Sequence, residues 1–295
     1  MNSKERGFLL LTEHLGNPER KPLTVAQFRT LAERASQMDK PVESRELQEI
    51  DLIALGYNRS AAQRILALLA EEDLLDRYLF KGHRQICVPI PRISPVYPIA
   101  VRTCLGLDAP GCLWAKGDLS ILNTKTISLV GSRELREENR AFAETVGREV
   151  AHQGYTLVSG NARGADQVAQ TACLEAGGKV ISVVADSLEN YNLQENVLFL
   201  SEDAFDEPFS PQRALSRNRV IHALGRITLV AQCNLNKGGT WDGTVKNLQK
   251  NWSPVFCFND GSAVAIELAQ RGANLINFSQ LSNLADLKPN TQSFI

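Results

Sequence analysis

The stretch YTLVSGNARGADQVAQTACLEAGG, Tyr155 to Gly178, decides the reading of the fold. An apolar run ending at Val158 gives way to Ser-Gly-Asn-Ala-Arg-Gly-Ala-Asp and then to a helical segment made mostly of small residues. A strand that hands over to a helix through a glycine-rich turn is a common cradle for phosphate, because the first helical amides point at the ligand. Gly160 and Gly164 would let backbone approach a ligand closely. Arg163 would add a bidentate contact, and Asp166 would satisfy backbone amides or orient an arginine. A tight turn carrying a solvated arginine is the plain alternative. The small residues Ala165, Ala169, Ala172, Cys173 and Ala176, with Val168, predict a helix lying close to a sheet.

Working outward, the same alternation repeats from Lys125 onward. KTISLVGS, YTLVSG, KVISVVAD, VLFLSED, ITLVAQC and SPVFCF read as strands, and residues 134–153, 163–176, 211–224, 241–251 and 261–271 as helices, the last leading to ANLIN. Nearly continuous apolar strands alternating with helices predict a mostly parallel sheet covered on both faces, an α/β doubly wound Rossmann-like domain. Residues 1–88 read as a small helical domain, with Asn58 or Ser60 capping the helix that carries Ala62, Ile65, Leu66 and Leu69. Prolines 89, 91, 95 and 98 mark a lead-in segment, 89–124. The Rossmann-like domain is expected over 125–285 and a tail over 286–295. The helical module could bind DNA, bind a protein or only pack.

The 295 residues carry a formal net charge of −1, so no global basic field draws in polyanions, and any such site must be a local cluster. No signal-peptide pattern and no transmembrane-length apolar run is present. The six scattered cysteines read as reduced core residues of a cytoplasmic protein.

In parallel sheets ligands bind beyond the carboxyl ends of the strands, where strand order reverses. Four turns fall there: GSRE at 131–134, SGNARGAD at 159–166, SEDAFDEP at 201–208 and NLNKGGTWDGT at 234–244. Arg133 would project into the crevice of Arg163. On the helix 211–224 the inward stripe runs Ala214, Arg217, Ile221, Leu224. An arginine there either pairs with a buried carboxylate, Glu202 being the candidate, or reaches a ligand. Arg213 and Arg219 flank it. Lys237, Gly238, Gly239 and Thr240 precede a helix in another phosphate-friendly arrangement. Tyr155, Tyr191, Phe209 and Trp241 lie near the turns, where aromatics stack on bases.

Taken in order, VYPIAV…LDAPGCLWAKGD, ISLVGSR, LVSGNARGADQVAQTACLEAGGKVISVV, LSED, SRNRVIHALG, ITLVAQ and AQRGANLI resemble the DNA-processing protein A family (DprA/Smf) over roughly residues 92–277. The resemblance implies a non-enzymatic protein that binds and protects single-stranded DNA and helps load RecA in transformation and recombination. It further implies pairing into homodimers; the sequence itself is read as having no membrane attachment, no cofactor and no metal. By position it implies DNA contacts at Gly131, Ser132, Arg133, Ser159, Gly160, Arg163, Gly164, Asp166, Arg217, Asn218 and Arg219. The chain departs from the family after GSR, where ELREEN replaces a Thr and a Tyr-Gly. NYN replaces a Tyr-Pro at 190–192, and no winged-helix tail follows ANLIN.

Two other readings remain open. One is a nucleotide-ligand sensor of the same superfamily, acting in defence against foreign DNA. The other is a phosphoribohydrolase of the Lonely-guy type, whose motif would put a glutamate after the glycine loop. Here position 247 is asparagine, and no catalytic constellation stands out.

Overall fold

The protein is described from a computed structural model over residues 1–37 and 47–289. The chain separates into two compact units, one comprising 1–97, 110–114 and 202–204, the other 98–109, 115–201 and 205–295.

The first unit is mainly helical: α1 (Ser3–Thr12), α2 (Val25–Ala35), α3 (Glu49–Ala54), α4 (Arg59–Leu69) and α5 (Glu72–Arg84), followed by strand β1 (Val88–Pro91). Local chemistry sets the helix starts. Asn2 and Glu5 cap α1 reciprocally, each side chain accepting the other's amide at 2.9 Å. Asn58, not Ser60, caps α4, its Oδ1 accepting the Ala61 amide at 2.8 Å. Leu11, Leu23, Leu31, Leu52, Ala62, Ile65 and Leu68 form the core. Arg20 is buried beside it and donates to the Leu10, Glu13 and Leu68 carbonyls, with Glu71 as its ion partner. The prolines at 89 and 91, at the start of the expected lead-in segment, fall within β1.

The second unit begins with α6 (Ile99–Leu105), entered through Pro98, and continues into strand β2 (Cys112–Lys116), whose first three residues belong to the first unit. Seven parallel strands follow: β3 (Thr126–Val130), β4 (Thr156–Ser159), β5 (Lys179–Val183), β6 (Val197–Glu202), β7 (Thr228–Val230), β8 (Val255–Phe258) and β9 (Asn274–Ile276). Their order is β6-β5-β4-β3-β7-β8-β9, with every neighbouring pair parallel. The sheet grows from β3 in one direction through β6 and then restarts at β7 in the other. This is the doubly wound topology expected from the sequence, and its switch point lies at the ends of β3 and β7.

The connecting helices are α7 (Glu137–His152), α8 (Ala165–Glu175), α9 (Pro211–Leu224), α10 (Gly239–Lys250) and α11 (Ala263–Gln270). Helix α7 starts at Glu137, three residues later than its apolar spacing suggests, so Leu135 lies outside it. Gln232 holds the preceding turn instead, donating to the Glu134 carbonyl at 3.1 Å and accepting the Arg136 amide at 2.9 Å. Phe142 of α7 stacks on Phe258 of β8 with ring centroids 4.3 Å apart. Five of the six cysteines are buried free thiols, whereas Cys104 is exposed. No described helix is long and apolar enough to cross a membrane.

Helices α7 and α8 approach so closely that Gly147 has no room for a side chain. An added Cβ would stand 2.3 Å from the Ala169 carbonyl oxygen and 3.0 Å from Ala172 Cβ. Gly147→Ala is therefore expected to destabilise the fold by about 1–3 kcal/mol, the usual range for overpacking. Urea unfolding checks this, and an unchanged midpoint would refute the close packing.

Candidate nucleic-acid interface

The second turn closes on itself. Asp166 enters α8 and folds its Oδ2 back onto the amides of Gly160, at 3.1 Å, and Ala162, at 3.2 Å. The Ser132 carbonyl takes the Ala165 amide at 3.1 Å, and the Ala162 carbonyl takes that of Gln167 at 3.3 Å. Amides expected to receive a phosphate are thus occupied by the protein's own oxygens. Asp166 acts as the amide acceptor the sequence suggested.

The glycines likewise make room for protein rather than ligand. A Cβ on Gly160 would lie 1.5 Å from Nη1 of Arg217. One on Gly131 would lie 2.3 Å from Ala165 Cβ, and one on Gly164 would lie 2.3 Å from the Ser132 carbonyl oxygen. Gly164 also adopts φ +93°, a conformation costly for any residue with a Cβ.

Arg217 is 6% exposed, buried as its place on the inward stripe of the helix predicts. Burial raises the Asp166 carboxyl above its ordinary range, and the nearby Arg217 and Arg133 charges partly offset that rise. Arg217 thus has Asp166 as a carboxylate neighbour within its own unit. Arg219 turns elsewhere, donating to the Asp108 carbonyl and the Ser216 carbonyl, each at 2.8 Å. Arg213 donates to the Ala185 carbonyl at 3.2 Å and Ser201 Oγ at 2.9 Å. Ser159 is buried and accepts from Gln170 at 2.5 Å. Arg213, Arg217 and Arg219 therefore do not line one cavity with Arg133 and Arg163.

What forms is a cavity of about 450 Å3 at the start of α8, lined by Arg133, Glu134, Leu135, Arg140, Arg163, Gly164, Gln167 and Val168. Arg133, Arg140 and Arg163 are all exposed. Arg140, on the first turns of α7, was not among the expected residues. The available signal was the stripe of small residues on α8, which implies a close α7–α8 approach and brings the two helix starts together.

The switch point is closed by a second set. Thr240 Oγ1 donates to the Gly131 carbonyl at 2.9 Å, and Asn218 Nδ2 donates to that of Gly239 at 3.1 Å. The amide and hydroxyl of Ser132 both turn to the Gln232 carbonyl. Lys237 and Gly238 are exposed in the loop between β7 and α10. Gly131, Asn218, Gly239 and Thr240 are thereby joined, with Lys237 and Gly238 beside them. Of the aromatics, Tyr155 and Trp241 are buried, and Tyr191 is half-buried, stacked on Phe199 at 4.7 Å with its hydroxyl donating to Asp186 at 2.7 Å. Phe209 is 53% exposed and is the one of the four free to offer its ring.

Position 247, where a phosphoribohydrolase would carry glutamate, holds a buried amide. Asn247 bonds His222 Nδ1 at 3.1 Å, Ser253 Oγ at 3.1 Å and the Ser253 amide at 2.9 Å. His222 also contacts Thr228 Oγ1 at 3.2 Å. This network ties α9 and α10 to β7 and presents no carboxylate.

Residues 90–284 match the family model of the DNA recombination-mediator protein A. The DNA processing protein DprA of Bacillus subtilis is 27% identical over 217 residues, covering 68% of this chain and 72% of the relative. The X-ray structure of DNA processing protein A from Streptococcus pneumoniae superposes with TM-score 0.73 at 24% identity, over 98% of this chain and 99% of that one. A DNA processing protein A from Helicobacter pylori, studied for its single-stranded DNA binding mode, gives TM-score 0.56 at 25% identity, over 67% of this chain and 94% of that one.

Burial lowers the His222 pKa from 6.5 to about 3, so the folded protein keeps it neutral. The unfolded chain takes up a proton below about pH 6.5. The stability this group supplies is therefore complete above that pH and is lost as pH falls toward 3, at up to about 1.4 kcal/mol per pH unit. His222→Asn is expected to make the acid limb of urea stability between pH 6.5 and 4 shallower. Identical slopes for the two proteins would exclude the buried neutral histidine.

Proposed function

The chain belongs to the DNA recombination-mediator protein A family, and from that premise we propose that it binds single-stranded DNA as a DNA-processing protein in transformation and recombination. The observation that carries the reading is the cavity shared by Arg133, Arg140 and Arg163, three exposed guanidiniums from three segments at the carboxyl side of a doubly wound sheet. Side-chain charge, rather than turn amides, holds the phosphates. Lys237 extends the cationic path across the switch point, and Phe209 offers a face for a base. Gly131, Ser132, Asn218, Gly238, Gly239 and Thr240 position these contacts. Ser159, Gly160, Gly164, Asp166 and Arg217 support them from beneath, and Arg219 fixes α9.

The partner of the bound strand is a RecA-type recombinase, in keeping with the family's description as a recombination mediator. The protein works in the cytoplasm, without enzymatic activity, as a homodimer. Strand β9 ends the sheet order, and Leu275 on it is 36% exposed while Ile266 on α11 is 51% exposed. An open sheet edge with apolar neighbours is a pairing surface. Ile266→Arg is expected to shift the protein to monomer in light scattering, and an unchanged mass would exclude this face.

A salt-titrated comparison of a single-stranded oligonucleotide, a duplex and a free nucleotide tests the main reading. Affinity for the single strand is expected to fall with salt at a log–log slope of about −0.7 per phosphate neutralised. Arg163→Glu is expected to weaken it about tenfold or more, alike for all sequences, because contacts to phosphate carry no base information. Stabilisation by one mononucleotide alone would instead select the nucleotide-sensor reading, for which the cavity's volume is also suitable.

A further inference from the structure

The arginine cavity contains one carboxylate, and it sits where a phosphate would go. Glu134 lines the cavity beside Arg133, Arg140 and Arg163, with its Oε1 3.8 Å from Arg163 Nη2. Its side chain is 90% exposed and that of Arg163 76%, so neither is held by packing. The backbone of Glu134, by contrast, is fixed: Gln232 donates to its carbonyl at 3.1 Å and accepts the Arg136 amide at 2.9 Å. The carboxylate is therefore tethered within reach of the guanidiniums yet free to swing aside.

We propose that Glu134 is an internal counter-anion of this cavity, which an incoming phosphate must displace, and that it lowers the site's affinity for anions, most for those of higher charge. The proposal rests on the single-stranded DNA reading for its ligand and on the cavity alone for its chemistry.

The charge arithmetic is simple. Three guanidiniums and one carboxylate line the cavity, a formal +2 in place of +3. A phosphodiester carries one negative charge and competes with Glu134 on equal terms. A terminal phosphomonoester, with about −1.5 to −2 charges at neutral pH, is drawn more strongly by the guanidiniums but also opposed more strongly by Glu134. Asp166 does not enter the contest, since it is buried and bonded to the Gly160 and Ala162 amides. Glu137 and Glu138, at the start of α7, do not line the cavity. An exposed like charge about 4 Å from the binding position opposes the ligand by a factor of about three to five once solvent and salt screen it.

The test uses the full chain with Glu134→Gln and, as a control of equal charge change, Glu175→Gln at the far end of α8, where the side chain is exposed. Binding of a single-stranded oligonucleotide, with and without a terminal phosphate, is measured at low and moderate salt, and thermal stabilisation by inorganic pyrophosphate is measured alongside. Glu134→Gln is expected to bind the oligonucleotide about three to five times more tightly and to gain more from pyrophosphate. Its preference for the terminal phosphate should grow, since a like charge opposes the more highly charged anion more. Arg140→Ala should weaken both ligands, and Glu175→Gln should leave both unchanged. Equal or weaker binding by folded Glu134→Gln would overturn the proposal, as would an equal gain in Glu175→Gln, which would mark a global charge effect. If no variant binds the oligonucleotide but Glu134→Gln alone gains with pyrophosphate, the single-stranded DNA reading fails and the counter-anion stands.

Discussion

A side chain at position 160 would have to displace the guanidinium of Arg217, which occupies the space a Cβ there would need. That constraint ties together three segments distant in sequence. The arginine comes from the middle of α9, the glycine from the end of β4, and Asp166, whose titration the arginine's charge influences, from the first turn of α8. Asp166 in turn fixes the loop by accepting the Gly160 and Ala162 amides. An ionised group taken into such a place is costly unless opposite charge and hydrogen bonds offset its desolvation. Both are supplied here, and the net rise in the Asp166 pKa shows that burial still outweighs them.

This buried arrangement explains why the exposed chemistry moved outward. A turn in which the Gly160, Ala162, Ala165 and Gln167 amides are consumed internally offers few of them to an anion, but it is rigid. A rigid turn presents Arg163 from a fixed point, while Gly164, seated against the Ser132 and Arg133 carbonyls, locks the turn after β3 beside it. Arg133 and Arg163 are thereby held on neighbouring backbones. The close α7–α8 contact at Gly147 adds Arg140 from a third. Preorganisation at the backbone level compensates for the flexibility of three long exposed side chains, each of which loses rotamer freedom on binding.

Much of this was legible in the chain. The strands announced themselves because both faces of a parallel sheet are covered, which demands uninterrupted apolar runs such as ISLV and VLFL. The reversal of strand order placed the informative turns at one edge. The direction each polar side chain took was not legible. SGNARGAD reads equally well as a cradle or as a self-satisfied turn, since both need glycines, an acid and a helix start. Only the backbone path decides whether Asp166 folds inward. The buried stripe on α9 did reveal Arg217 as a non-surface arginine, but its neighbourhood with Asp166 depends on a loop doubling back. The late start of α7 depends on Gln232, about a hundred residues away, and no local periodicity carries that information.

The departure ELREEN gains its meaning from the same geometry. Where an acid follows directly on the arginine of the β3 turn, its backbone is pinned by Gln232 and its side chain cannot leave the neighbourhood. An exposed ion pair of this kind adds almost nothing to stability, because solvent screens it and both side chains lose freedom. The fold does not need it. Its influence falls instead on whatever anion next approaches the arginines, since the same screening that makes the pair weak makes it easy to exchange. A cavity whose cations are already partly neutralised exchanges anions without a large net change in local charge. Such a site suits the reversible binding of a polyanion.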